Sequence, residues 1–183
     1  MAAVNDGTYA LGPSSGRLLI RTGRTGLGSK AGHDLTIEVT DWTGTATVDT
    51  TNVNSSVSVD AYVDSFEVRE GTGGVKPLTD SDRAEIKKTL REKILDATKH
   101  PAIAFRSTDV EGAAEDFTVT GDLTITGTTH PVTVRGSITG GRAHGSANIV
   151  QSQWGIKPYT AFFGALKLAD EVGVEFDVDL DSP

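Results

Sequence analysis

Side chains change character at every second residue over residues 102–110 and again over 117–125. Ile103 and Phe105 fall on one face of the first run, with Ala104 and Arg106 on the other. In the second run Phe117, Val119, Gly121, Leu123 and Ile125 share a face, opposite Thr118, Thr120, Asp122 and Thr124. A period of two over this length predicts half-buried β-strands. Residues 127–130 interrupt the alternation like a turn, and Val132, Val134, Gly136 and Ile138 resume it after Pro131. Strands joined this closely must pair antiparallel, because a parallel return needs a long crossover.

The rest of the chain repeats the theme. Residues 17–22, 35–39, 42–49, 56–68 and 143–150 read as strands, and Val172, Val174, Phe176, Val178 and Leu180 mark a last one. In 56–68, Val57, Val59, Ala61 and Val63 share one face, whereas Phe66 and Val68 fall on the opposite one. That change predicts a bulge, or burial of both faces at the strand end. Residues 1–15 are small, polar and turn-rich and read as irregular. Residues 151–169 hold Trp154, Tyr159, Phe162 and Phe163 without a sustained period, as a lid over a barrel mouth would.

One segment keeps a different beat. Ile86, Leu90 and Ile94 recur every four residues, with Lys, Arg and Glu on most of the remaining surface. Thr79 can cap this helix, and Asp80 and Asp82 suit its positive N-terminal end. The helix is expected over about 80–97, ending before Pro101. Its apolar stripe is narrow and lacks aromatics, which favours packing on the sheet over lying on a membrane surface.

Composition narrows the function classes. A chain of 183 residues fits one domain with a substantial core. A formal net charge of −8 and a pI near 4.9 disfavour nucleic acid, since phosphate binding needs a basic surface. Cysteine is absent, which excludes disulfides and thiolate chemistry. The start M-A-A-V-N-D-G-T-Y shows no signal-peptide pattern, and no apolar run is long enough to span a bilayer. Cytoplasmic residence is therefore expected, unless an export signal has been removed. His33, His100, His130 and His144 lack zinc-site spacing, so no metal is expected. The run G-L-G-S-K-A-G matches neither phosphate-loop nor dinucleotide spacing, and no G-x-S-x-G elbow is present. No catalytic constellation emerges.

Five motifs in register carry a resemblance. They are G-H-D-L-T-I-E-V at 32–39, K-H-P-A-I-A-F-R-S at 99–107 and G-D-L-T-I-T-G-T-T-H-P-V at 121–132, then S-Q-W-G-I at 152–156 and D-E-V-G-V-E-F-D-V at 170–178. Together they resemble the YceI-like family of lipid-binding (polyisoprenoid-binding) proteins. The resemblance implies an all-β fold, a single antiparallel lipocalin-like barrel spanning 1–183, with the helix packed against it. It also implies a bound isoprenoid, of quinone or polyprenyl phosphate type, as the only small molecule. Many members are exported, and many are dimeric, so a homodimer is expected although no residue marks an interface.

Alternation alone leaves two architectures open, a sandwich or a closed barrel of about eight strands. Such a barrel can be filled by side chains or hold one small ligand. Small residues at Ala61, Gly121, Gly136, Ala143, Gly145 and Ala147 suggest a vacant channel. Strand parity nominates Val57, Val59, Val63, Ile103 and Phe105 as lining, together with Leu123, Ile125 and Phe176. Trp154, Tyr159, Phe162 and Phe163 would cover the opening, and His33, Lys30 or Lys157 would meet a polar head. Three functions follow: a non-enzymatic carrier or store for a long-chain isoprenoid or related amphiphilic lipid, an enzyme or stress-response factor acting on a small hydrophobic substrate with His33, Asp34 and another polar group converging in the same cavity, or a filled barrel that binds protein.

Overall fold

In the computed structural model the described residues are 4–25, 32–51, 54–74, 76–161 and 166–180. The first strands are β1 (Gly7–Leu11), β2 (Gly16–Arg21), β3 (Arg24–Thr25), β4 (Asp34–Val39) and β5 (Trp42–Val48). Next come β6 (Ser56–Tyr62), β7 (Phe66–Thr72), helix α1 (Asp80–Thr89), β8 (Ala102–Ala113), β9 (Asp116–Ile125) and β10 (Thr128–Thr139). The chain continues through β11 (Arg142–Val150), β12 (Thr160–Ala161), β13 (Leu166–Leu168) and β14 (Glu171–Asp179). Every pairing among them is antiparallel.

Eleven of the described strands form one sheet in the order β1-β5-β6-β8-β9-β10-β11-β14-β2-β4-β7. This order hides a closure. β4 runs into β5 through Thr40 and Asp41, and β6 runs into β7 through a 3₁₀ turn at Val63–Ser65. Because β4 pairs with β7 and β5 with β6, each joined pair acts as one long strand bent at a corner. Thr40 N–H donates to Ser65 O and Tyr62 N–H to Asp41 O, both at 3.1 Å, so pairing continues across the bend. The ring β2, β4–β5, β6–β7, β8, β9, β10, β11, β14 then returns to β2 through Gly16–Val178 and Leu18–Phe176. The architecture is a closed barrel, the solution that removes most free edges.

The 3₁₀ turn also explains the parity change in residues 56–68. Its three residues shift the alternation, so Ala61 before it, Val63 at its start and Phe66 and Val68 after it are all buried. Residues 7–11, expected to be irregular, form β1 on the outer edge of β5. Tyr9 anchors that strand: its ring is buried and its hydroxyl donates to Asn5 O at 2.8 Å. A five-residue strand with two large apolar side chains, Tyr9 and Leu11, leaves too short a pattern to read from sequence.

Sequence reading places the turn after β9 slightly late. It is made by Thr126 and Gly127, both with positive φ, the signature of a tight two-residue hairpin. His130 and Pro131 therefore lie within β10. Pro131 is tolerated there because β11 pairs with β10 from Arg135 onward, beyond the missing N–H.

Helix α1 begins at a capping box. Asp82 N–H donates to the Thr79 hydroxyl, and Thr79 N–H donates back to the Asp82 carboxylate. A π-helical turn at Leu90–Ile94 continues it, shorter than the expected span to 97. Ile86, Leu90 and Ile94 pack inward, and the ion pairs Lys87–Glu67 and Arg91–Asp64 tie the helix to β7 and the corner. The helix thus covers the barrel wall beside the edge of β7 that faces away from β4.

Candidate binding cavity

Inside the barrel lies a cavity of about 620 Å³, within the range that accommodates small-molecule ligands. It runs the length of the barrel, from Val48, Ala113 and Leu180 at one end to Thr22, Gln151 and Leu168 at the other. Leu90, Ile94 and Leu95 close its side from the helix.

Why the middle stays open is visible in three phenylalanines. A Cβ built on Gly121 would lie 2.5 Å from Phe105 Cζ, and one on Gly136 would lie 2.7 Å from Phe117 Cζ. At Gly145 Phe176 Cζ is again 2.7 Å away, and the backbone carbonyl of Arg135 is nearer still. Each ring lies across a glycine of the next strand, flat on the wall rather than pointing into the middle. Gly136 and Gly145 sit directly opposite Phe117 and Phe176, whereas Gly121 is diagonal to Phe105. These glycines do not supply vacant volume themselves, as small residues were expected to. They let large rings bury their faces against backbone, a device that compensates for a glycine in a sheet. The result is an apolar lumen whose bulk is spread along its wall.

Of the expected lining residues, Val57, Val59, Ile103, Phe105, Leu123, Ile125, Tyr159 and Phe176 do face the cavity. Val63 does not. It is 1% exposed and belongs to the corner core, because the 3₁₀ turn redirects it. Trp154 is not a lid over the lumen either. It is 2% exposed, donates from Nε1 to Leu123 O at 2.9 Å, and stands edge-on to His130 with ring centroids 5.4 Å apart. The segment after it instead sends Ile156 and Tyr159 to the cavity.

The polar candidates lie apart from the lumen. His33 Nε2 is 2.6 Å from Lys76 O, fastening the start of β4 to the connection before α1. Asp34 pairs with Arg24. The histidine–carboxylate pair required by an enzyme reading therefore does not converge inside the barrel. Lys157 is exposed and off the lining. Lys30, Phe162 and Phe163 lie outside the described residues.

Several wall residues were missed in the sequence. Leu18 and Ile20 of β2, in a weakly alternating segment read as a strand but not named as lining, face inward beside Phe176 and Val174. Trp42 contributes from the corner; it is 3% exposed and its Nε1 has no hydrogen-bond partner among the described residues. At the end formed by the β5–β6 connection, Thr47, Asp49, Thr50, Ser55 and Ser56 make a polar rim. The Asp49 carboxylate accepts from the hydroxyl and N–H of Thr51, then from the N–H and side chain of Asn54. These bonds hold its pKa below the usual carboxylate value.

A closed antiparallel barrel with an apolar lumen and one flanking helix defines a class of small-ligand β-barrels. The chain belongs to the YceI-like domain family, whose model matches residues 18–180. It is 45% identical over 62 residues to a UPF0312 protein of Yersinia enterocolitica, a match covering 33% of this chain and 32% of that relative's length. Among solved structures, BcnA of Burkholderia cenocepacia superposes with a TM-score of 0.62 at 20% identity, covering 88% of this chain and 94% of that one. A polyisoprenoid binding domain from Saccharophagus degradans superposes with a TM-score of 0.58 at 9% identity, covering 95% and 97%. At such identities the structural likeness establishes the fold.

Proposed function

We propose that the protein binds a long-chain isoprenoid or related amphiphilic lipid inside the barrel, as a carrier or store rather than as a catalyst. One observation supports this most: an apolar cavity of about 620 Å³ kept open by rings laid flat on its wall. A hydrocarbon tail would lie between Ile103 and Phe105 on one side and Leu18 and Phe176 on the other. Burying it is favourable by about 0.8 kcal/mol per methylene, so ten carbons contribute on the order of 8 kcal/mol before association costs. Association costs of about 4–15 kcal/mol stand against this term, so longer tails are favoured over short ones. The polyisoprenoid-binding neighbour agrees with this ligand class. The filled-barrel reading is disfavoured by the open lumen, and the enzyme reading by the outward placement of His33 and Asp34.

Native mass spectrometry of the gently extracted protein tests the proposal. The expected spectrum shows an added mass that organic solvent removes and that reconstitution with a long-chain prenol restores. A spectrum of bare protein after reconstitution refutes it.

A further inference from the structure

We propose that the cavity selects amphiphiles with an uncharged polar end, an alcohol or a carbonyl, over the corresponding phosphates. We place that end at the rim made by Thr47, Asp49, Thr50, Ser55 and Ser56. This deepens the lipid-binding reading and rests on it.

Charge along the wall is the first ground. The described cavity wall carries no Lys, Arg or His, and its one carboxylate is Asp49. A phosphate monoester brings a charge of about −1.5 to −2 near neutral pH. Taking that charge out of water without a cation to meet it is strongly unfavourable. An alcohol or ketone demands hydrogen bonds alone.

The rim's own chemistry is the second ground. Four of its five side chains are hydroxyls. The Ser55 hydroxyl donates to Asp49 O at 3.0 Å, and the Thr47 and Thr8 hydroxyls share a bond at 3.2 Å. Their remaining lone pairs can accept from an alcohol, which can donate and accept in turn. Asp49 adds a fixed negative charge, and Asp6 a second beside it, accepting from Thr50 N–H at 2.9 Å. The arginines that flank this end of the barrel are already engaged: Arg17 with Glu38, and Arg142 with Asp177 and Asp179. At the opposite end the polar wall residues are Thr22, Gln151 and Tyr159, and Gln151 is committed to Ala169 O at 3.1 Å. Exposed Lys157 near that end is where an anionic head would have to be met instead.

The test compares geranylgeraniol with geranylgeranyl phosphate, which share one tail and differ in the head. Each is titrated into the full chain, with intrinsic fluorescence and native mass spectrometry as readouts. The alcohol is expected to bind at least about 30-fold more tightly, the size expected when a charged group is buried without a partner. Ser56→Lys puts a cation on the rim and should bring the phosphate to within about threefold of the alcohol. Asp49→Asn should improve phosphate binding by about three- to tenfold at low salt, with the gain shrinking as salt screens the rim. Equal affinity of the wild type for both ligands overturns head-group selection while leaving the lipid-binding reading intact. A wild-type preference that Ser56→Lys leaves unchanged overturns the placement of the head at this rim. Binding of neither ligand overturns the lipid reading, and this one with it.

Discussion

Replacing Gly136 by alanine tests directly whether flat-lying rings keep the lumen open. The added methyl would sit 2.7 Å from Phe117 Cζ, 3.0 Å from Phe117 Cε2 and 2.8 Å from His144 O. The ring can swing away because empty cavity lies beside it; the carbonyl belongs to the β10–β11 ladder and can move little. Overpacking of this kind costs about 1–3 kcal/mol. Part of that cost belongs to the ring and part to the backbone, and a double-mutant cycle with Phe117→Leu separates them. In the Phe117→Leu background the ring contact is gone, so Gly136→Ala should cost less there, by a coupling of about 0.5–2 kcal/mol. Urea unfolding gives the four stabilities. The displaced ring should also occupy lumen volume, so Gly136→Ala should weaken geranylgeraniol binding while Gly136→Ala/Phe117→Leu recovers much of it. Strict additivity of the two substitutions, with unchanged binding, would show that Phe117 does not rest on Gly136, and the account of the open lumen would fail.

Two further perturbations probe the frame around the cavity. Trp42→Phe and Trp154→Phe make the same chemical change in two buried sites, but Trp154 loses its bond to Leu123 O whereas Trp42 loses an N–H that has no partner among the described residues. Trp154→Phe should therefore be the more destabilising by about 1–3 kcal/mol in chemical denaturation, and equal or reversed losses contradict the assignment. Glu38 accepts hydrogen bonds from Arg17 and then from Arg69, clamping β2, β4 and β7, and these bonds lower its pKa from the ordinary 4.5. A carboxylate depressed in the folded state contributes stability above its unfolded pKa and loses it as pH falls through the folded one. The stability gap between wild type and Glu38→Gln, at most about 1 kcal/mol for such solvent-facing pairs, should be present at neutral pH and vanish in acid. A gap that persists or widens in acid sinks this reading.

Alternation alone is enough to locate most long strands, because β8, β9, β10 and β14 each keep one apolar face over many residues. The capping box at Thr79 is equally legible, being a local bond between residues three apart. What escaped was non-local. The parity change between Val63 and Phe66 announces an irregularity but not a 3₁₀ corner starting at Val63, so parity carried up to that residue puts its side chain in the lumen when it belongs to the core. Gly121, Gly136 and Gly145 were correctly placed on the inner face, yet their role depends on which ring the neighbouring strand brings over them. That is a matter of register, and register is not written in either strand alone. Trp154 was misassigned for a similar reason: an aromatic-rich irregular segment looks like a cover until the bond to Leu123 O shows it bound into the barrel wall. His33 stood out by its neighbours in sequence, whereas its actual partner, Lys76, lies 43 positions away.

The seam between β2 and β14 has a consequence for how the chain acquires its shape. Gly16 meets Val178 and Leu18 meets Phe176, so this ladder joins strands from opposite ends of the domain. During synthesis that flank of β2 stays unpaired until β14 has emerged from the ribosome. Contacts so distant along the chain are associated with slow folding, and an unzipped seam offers an edge to other molecules in the meantime. An apolar molecule present during that interval would encounter a trough rather than a tube, so its access to the interior would not depend on an opening in the finished barrel.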